Sequence, residues 1–177
     1  VAGGSQYADS STNVSDVIAV EFDGDVSEAL LYLSYNWNNP SLGDFTDWTV
    51  TFKGNVIAPI ASYKDQGNLG KYGQYSYGLV VYNVTDLVVN GDNALSINKT
   101  TKNVAIYPAS LIVLTNDDGN VEEKTVYIME EVDLLSKTYN KFLPAGFNTN
   151  FDVIDGDATL MVFAAGAQSN EGNLIIN

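Results

Sequence analysis

The stretch DWTVTFKGN, residues 47–55, sets Trp48, Val50 and Phe52 on one side of an extended chain and Thr49, Thr51 and Lys53 on the other. A period of two suits a half-buried strand and excludes a helix there, because helical faces repeat every ~3.6 residues. Apolar runs of similar length recur along the sequence, each stopped by Gly, Asn, Asp or Pro, and no long segment carries a helical period. Short strands at this spacing predict an all-β chain, a two-sheet β-sandwich of jelly-roll-like type.

The runs can be followed in order. DVIAVEF is a strand stopped by the acidic turn at Asp23–Asp25, and ALLYLSYNW follows with both faces apolar, as a central strand covered on two sides requires. KGN at Lys53 is a turn and VIAPIASY the returning strand, with Pro59 at an edge or bulge because it donates no ladder bond. The loop KDQGNLGKYGQ leads into YSYGLVVYNV. SLIVLTNDDGNVEEKTVYIMEE reads as a hairpin around Asp118-Gly119, while ATLMVFAAGA and GNLIIN supply the last strands. The first residues, VAGGSQYADSSTN, are small and polar and read as a tail or linker over 1–13, leaving 14–177 as a single β-sandwich domain. A start on Val1 without a signal peptide reads as a mature or excised stretch.

Between Tyr82 and Asn98 the sequence YNVTDLVVNGDNALSIN describes a corner. Thr85 is expected to cap the short turn DLV, Leu87 and Val88 to point inward, and Gly91 to supply a positive φ in the reversal. Such a corner carries the chain from one sheet to the other without exposing an apolar run. Folding explains each of its residues, and no chemistry is needed.

What is missing narrows function further. The chain has no histidine, no cysteine and no arginine; all eight basic residues are lysine, and the net charge is −14. A basic footprint for nucleic acid is absent, as are the means of attraction to anionic lipid. Thiol and imidazole chemistry, including Ser-His-Asp triads, is excluded outright. No apolar run is long enough to insert in a membrane as a helix. A pair of carboxylates can hydrolyse a glycoside, but sequence gives no separation for them, and the chain is read as non-catalytic.

The corner resembles one found in jelly-roll modules, including sugar-binding domains attached to glycosidases. The ordered series ALLYLSYNW, DWTVTFKGN, YGLVVYNVTDLV, SLIVLTNDDGNVEEKTVYIMEEVDLL and ATLMVFAAGAQSNEGNLIIN is similar to an uncharacterised β-sandwich domain. That domain recurs in large adhesin-like and surface proteins of methanogenic archaea. The similarity runs over nearly the whole chain after residue 14, and Glu28-Ala29 stand where the family favours a bulky charged residue or Arg. It implies an extracellular, cell-surface module and carries over no catalytic residue.

Aromatic residues gather beside Asn, Asp and Gln in the loops, the combination that stacks on a sugar ring and answers its hydroxyls. Trp37 and Asn38 in NWNNP, and Asn68 and Tyr72 in KDQGNLGKYGQ, are the expected ligand contacts. By alternation Trp48, Tyr75 and Tyr77 are as readily core or sheet residues. Acidic turns, above all Asp23 and Asp25 in FDGDVSE and Asp155 and Asp157 in DVIDGD, are the places where calcium would brace loops. Sequons stand at Asn13, Asn83 and Asn98. The leading expectation is an adhesion or binding module for a glycan or protein on another cell's surface. The alternatives are a structural spacer in a surface stalk and, behind it, a glycosidase-associated domain.

Overall fold

The structure, a computed structural model, describes residues 1–7, 12–38, 48–66, 73–99, 104–116, 124–133, 159–163 and 165. The chain divides into two units, Val1–Leu134 and Leu135–Asn177. Among the described residues there is no helix, so none is long and apolar enough to cross a membrane.

The first unit is a β-sandwich of two antiparallel sheets. Its strands are β1 (Ala2–Gly3), β2 (Asn13–Val20), β3 (Asp25–Asn38), β4 (Trp48–Phe52), β5 (Asn55–Ile57), β6 (Ala61–Gln66), β7 (Ser76–Asn83), β8 (Gly91–Lys99), β9 (Ala105–Ile106) and β10 (Ser110–Asn116). One sheet has six strands in the order β1-β10-β3-β7-β6, with β9 also on β3; the other has four, β2-β8-β4-β5. The chain passes repeatedly between sheets, and only the hairpins β4–β5 and β6–β7 and the step from β9 to β10 keep neighbours in one sheet.

The predicted alternation becomes the core. Val14, Ile18 and Val20 of β2, Val50 and Phe52 of β4, and Leu95 and Ile97 of β8 face Leu31, Leu33 and Tyr35 of β3, Val80 and Tyr82 of β7, Ile106 and Leu111. Each fully buried Leu, Ile or Phe among them contributes about 1.5–3 kcal/mol. In the turn between β4 and β5, Lys53 and Gly54 have φ of 50° and 80°. With Phe52 opposite Asn55, this is a two-residue hairpin of the mirror-image type, whose twist matches that of the strands.

The corner between β7 and β8 does connect the two sheets, with Val88 buried, Leu87 packed against the core and Gly91 at φ 91°. One detail differs from expectation. Thr85 does not cap its own turn; its hydroxyl accepts the N–H of Ala29 on β3 at 2.9 Å. The Val84 carbonyl takes the Leu87 and Val88 N–H groups instead, both at 2.9 Å. At Ala29 the pairing of β3 with β7 has run out, though that with β10 continues, and an N–H on the β7 side needs an acceptor. Asn93, fully buried, locks the reversal: Nδ2 donates to Val89 O at 2.8 Å and Gly91 O at 3.0 Å, and Oδ1 accepts from Val89 N at 2.9 Å.

Several expected elements take another form. Within the segment read as a tail, Ala2–Gly3 pair with β10, and the Ser5 and Gln6 N–H groups donate to Asp16 Oδ2 at 2.7 and 3.2 Å. VIAPIASY splits into β5 and β6 of different sheets, with Pro59 in the crossing, where it costs no ladder bond. Of the hairpin expected around Asp118-Gly119, only the first arm is a strand, β10, and the turn lies outside the described residues. Residues 124–133, its expected second arm, are not a strand. This segment lays Ile128 on the outer face of the six-stranded sheet, against Leu30, Tyr32 and Val81 with Ala61, Tyr63, Leu79 and Ile112 around them. Glu130 then accepts the hydroxyls of Tyr32 (2.7 Å) and Tyr63 (2.8 Å), on either side of β7. An apolar outer face needs cover more than the sheet needs another edge strand, which accounts for β3 being apolar on both faces. In the second unit, residues 159–163 of the expected strand ATLMVFAAGA are outside any strand, and Leu160, Met161, Val162 and Phe163 are exposed. GNLIIN lies outside the described residues.

Candidate functional site: an aromatic cluster at a bulge in β3

The pairing of β3 with β7 is regular from Leu30 to Tyr35, which faces Gly78, and resumes with Asn38 opposite Ser76. Asn36 and Trp37 therefore share Tyr77 as their one opposite residue, which is a β-bulge. Trp37 sits there at φ 61°, a left-handed conformation that costs a residue with a Cβ about 1–2 kcal/mol. Plain alternation would have sent Trp37 into the interior behind Leu33 and Tyr35. The bulge turns it instead toward the outer face, where Tyr77 shares a row with Leu79 and Val81, and leaves it 38% exposed. Its ring centroid lies 6.0 Å from those of both Tyr75 and Tyr77, at interplanar angles of 75° and 51°.

The bulge is braced from inside. The Tyr35 ring occupies the space a side chain at position 78 would need, so only glycine fits there. Tyr35 in turn meets Trp48 edge-on, centroids 5.4 Å apart at 85°. The ladder around Trp37 thus rests on a packed aromatic pair.

Asn36, the other bulge residue, is buried. Its Nδ2 donates to the Tyr107 hydroxyl at 2.7 Å, and its Oδ1 has no hydrogen-bond partner among the described residues. Tyr107 is fixed by its own N–H to Ser34 O at 2.9 Å, and its ring lies 5.4 Å from Tyr7, which is half exposed. Burial raises the Tyr77 phenol, and burial with the nearby Tyr7 and Tyr77 raises that of Tyr107 against a smaller opposing effect of Asn36. Both are neutral donors across the physiological range. Trp37, Tyr75, Tyr77, Tyr107, Tyr7 and Asn36 thus bring together aromatic faces, hydroxyls and a carboxamide, with no charged member. Such a set can stack and hydrogen-bond a ligand but has no group suited to proton transfer near neutral pH.

Of the residues expected from sequence, Trp37 is central to this cluster. Asn38 closes β3, where its backbone pairs with Ser76. Asn68 and Tyr72 lie outside the described residues. Trp48 is a core neighbour, as alternation allows, whereas Tyr75 and Tyr77 belong to the cluster. Sequence reading missed Asn36, Tyr107 and Tyr7. The available signal was an Asn at an otherwise buried position of a strand, where a polar side chain needs a reason. Asp23 and Asp25 are exposed beside Gly24, at φ 82°; among the described residues no three acidic groups gather to hold a metal, and Asp155 and Asp157 lie outside them. Asn13, Asn83 and Asn98 are exposed, and Asn83 Oδ1 accepts the Thr85 N–H at 3.0 Å. One buried cation had not been expected: Lys99, whose Nζ donates to Val104 O at 2.7 Å.

Fold and cluster together define an all-β sandwich that presents a bulge-mounted tryptophan on the outer face of its larger sheet. The chain belongs to a family of proteins of unknown function, DUF3344, whose model matches residues 4–177. No curated protein and no solved structure matches it.

Proposed function

We propose that the chain is a non-catalytic, extracellular binding module of a cell-surface protein, and that it takes a glycan of another cell on the Trp37 cluster. The observation that carries this reading is the bulge itself. A tryptophan held at φ 61° and left partly exposed beside Tyr75 and Tyr77 costs folding energy that its own packing does not require. Bulges are over-represented at sheet edges and beside active sites, where they re-aim a side chain or end the pairing. The setting in adhesin-like proteins of methanogenic archaea rests on the sequence resemblance, and the absence of His, Cys and Arg supports a role without catalysis.

The test is binding of the labelled chain to a glycan array and to whole microbial cells, with calcium and again with a chelator. Saturable binding lost in Trp37→Ala is the expected result. Loss in chelator alone would assign the loops a calcium requirement. Binding to nothing, by a folded chain, would replace this reading with that of a structural spacer in a surface stalk.

A further inference from the structure

The bulge that carries Trp37 also leaves an acceptor unused. Asn36 commits its Nδ2 to the Tyr107 hydroxyl at 2.7 Å, while its buried Oδ1 has no hydrogen-bond partner among the described residues. A buried carbonyl oxygen without a donor is disfavoured, so the site calls for a donor from outside the fold. Building on the glycan reading above, we infer that Asn36 Oδ1 selects the ligand, and that the ligand is a neutral sugar offering a hydroxyl or amide N–H to it.

Three features set this chemistry. The Tyr107 oxygen accepts from Asn36, so its own proton is directed to a second partner. Acceptor and donor then stand side by side and match a sugar hydroxyl, which both donates and accepts. Trp37, 38% exposed, supplies the face on which the C–H side of the ring stacks. A carboxylate turned toward Oδ1 would set lone pair against lone pair, and a chain of net charge −14 without an arginine disfavours an anionic sugar. A quaternary ammonium would stack on the rings but brings no donor.

Oδ1 is closed to solvent, so the side chains over it shift as the donor enters. Trp37, the next residue in the bulge, is partly exposed, and its backbone gains by leaving the left-handed region.

The experiment follows the binding heat of the whole chain by isothermal titration calorimetry with cellohexaose, mannohexaose, an N-acetylglucosamine hexamer, hexagalacturonate and tetramethylammonium. Asn36→Leu and Trp37→Asn are run beside the wild type, and urea midpoints are recorded for all three. Saturable binding heat with at least one neutral oligosaccharide, its affinity weakened ten-fold or more in Asn36→Leu without a lower urea midpoint, is the expected result. Leucine removes an unsatisfied buried oxygen, so a residue with only a structural role would not combine intact stability with lost affinity. Asparagine tolerates the left-handed backbone, so Trp37→Asn is expected to fold and to lose binding.

Binding that Trp37→Asn abolishes and Asn36→Leu leaves unchanged would overturn the acceptor role and keep the glycan reading. Binding of hexagalacturonate or tetramethylammonium in preference to the neutral sugars would overturn the ligand class. Silence in every arm would overturn the glycan reading and this inference together.

Discussion

The Tyr32 hydroxyl donates to Glu130 Oε1 across 2.7 Å, joining residues 98 apart in the chain. Tyr63 donates to the other oxygen of the same carboxylate at 2.8 Å. Residues 124–133 are thereby fastened over the apolar outer face, with Ile128 beneath. Phenol–carboxylate bonds at part-buried sites contribute about 1–2 kcal/mol. A double-mutant cycle of Tyr32→Phe and Glu130→Gln in urea unfolding is expected to give a coupling of that size. Amide exchange in 128–132 should rise in either single variant. Zero coupling with unchanged exchange would mean that Ile128 holds the segment without the clasp.

The hairpin turn at Lys53-Gly54 carries a lysine at φ 50°, where asparagine is better tolerated. Lys53→Asn should stabilise the chain by about 0.5–1 kcal/mol, since the side-chain contact it gives up, Nζ to Asp92 O at 3.3 Å, is exposed and long. The urea midpoint reads this directly. A fall in stability would count against the mirror-image turn.

Gly78→Ala drives a Cβ into the buried ring of Tyr35. The ring is confined by Trp48 and cannot withdraw, so a loss of about 1–3 kcal/mol is expected. Replacing Tyr35 with Leu in the Gly78→Ala background should cost less than the same change in the wild type. That non-additivity, measured by chemical unfolding, ties the effect to this one contact.

Alkaline pH acts through tyrosines. Burial pushes the Tyr82 phenol up to about 12 from 10.0, and burial followed by Glu130 raises Tyr32 further. For Tyr63 the bond to Glu130 is the larger cause. Below pH 10 both folded and unfolded chains hold the Tyr82 proton, and stability is independent of it. Above pH 10 the unfolded chain releases the proton and the folded chain keeps it, so stability falls until about pH 12. The slope is at most about 1.4 kcal/mol per pH unit for this residue. Unfolding free energies between pH 9 and 12 should show the decline, and Tyr82→Phe should flatten it.

Strand positions were legible wherever one face had to be wet and the other dry. The alternation in β4 and the double-sided apolar pattern of β3 each carried their structural meaning openly, as did the turn glycines 54 and 91. Strand partners were another matter. The segment 124–133 has the composition of a strand, yet its Ile128 and Glu130 found better company on the face of a sheet than at an edge. VIAPIASY looks continuous, but Pro59 falls where the chain changes sheets. Local propensity specifies an extended backbone and is silent on what it lies against.

The candidate site was half visible for the same reason. Trp37 announced itself as an aromatic residue among asparagines at the end of an apolar run. Nothing local said that Tyr7 and Tyr107 would join it, because those contacts span long separations and depend on which strands pair. By itself the sequence determined the period of two, the two-sided burial of β3 and a chemistry without imidazole, thiol or guanidinium. These follow from each residue's own polarity and backbone preferences. Only the tertiary structure decided that one extra residue would break the register between β3 and β7. That slip turned Trp37 outward and left the Asn36 oxygen without a donor among the described residues, because register belongs to the pair of strands and to neither sequence alone.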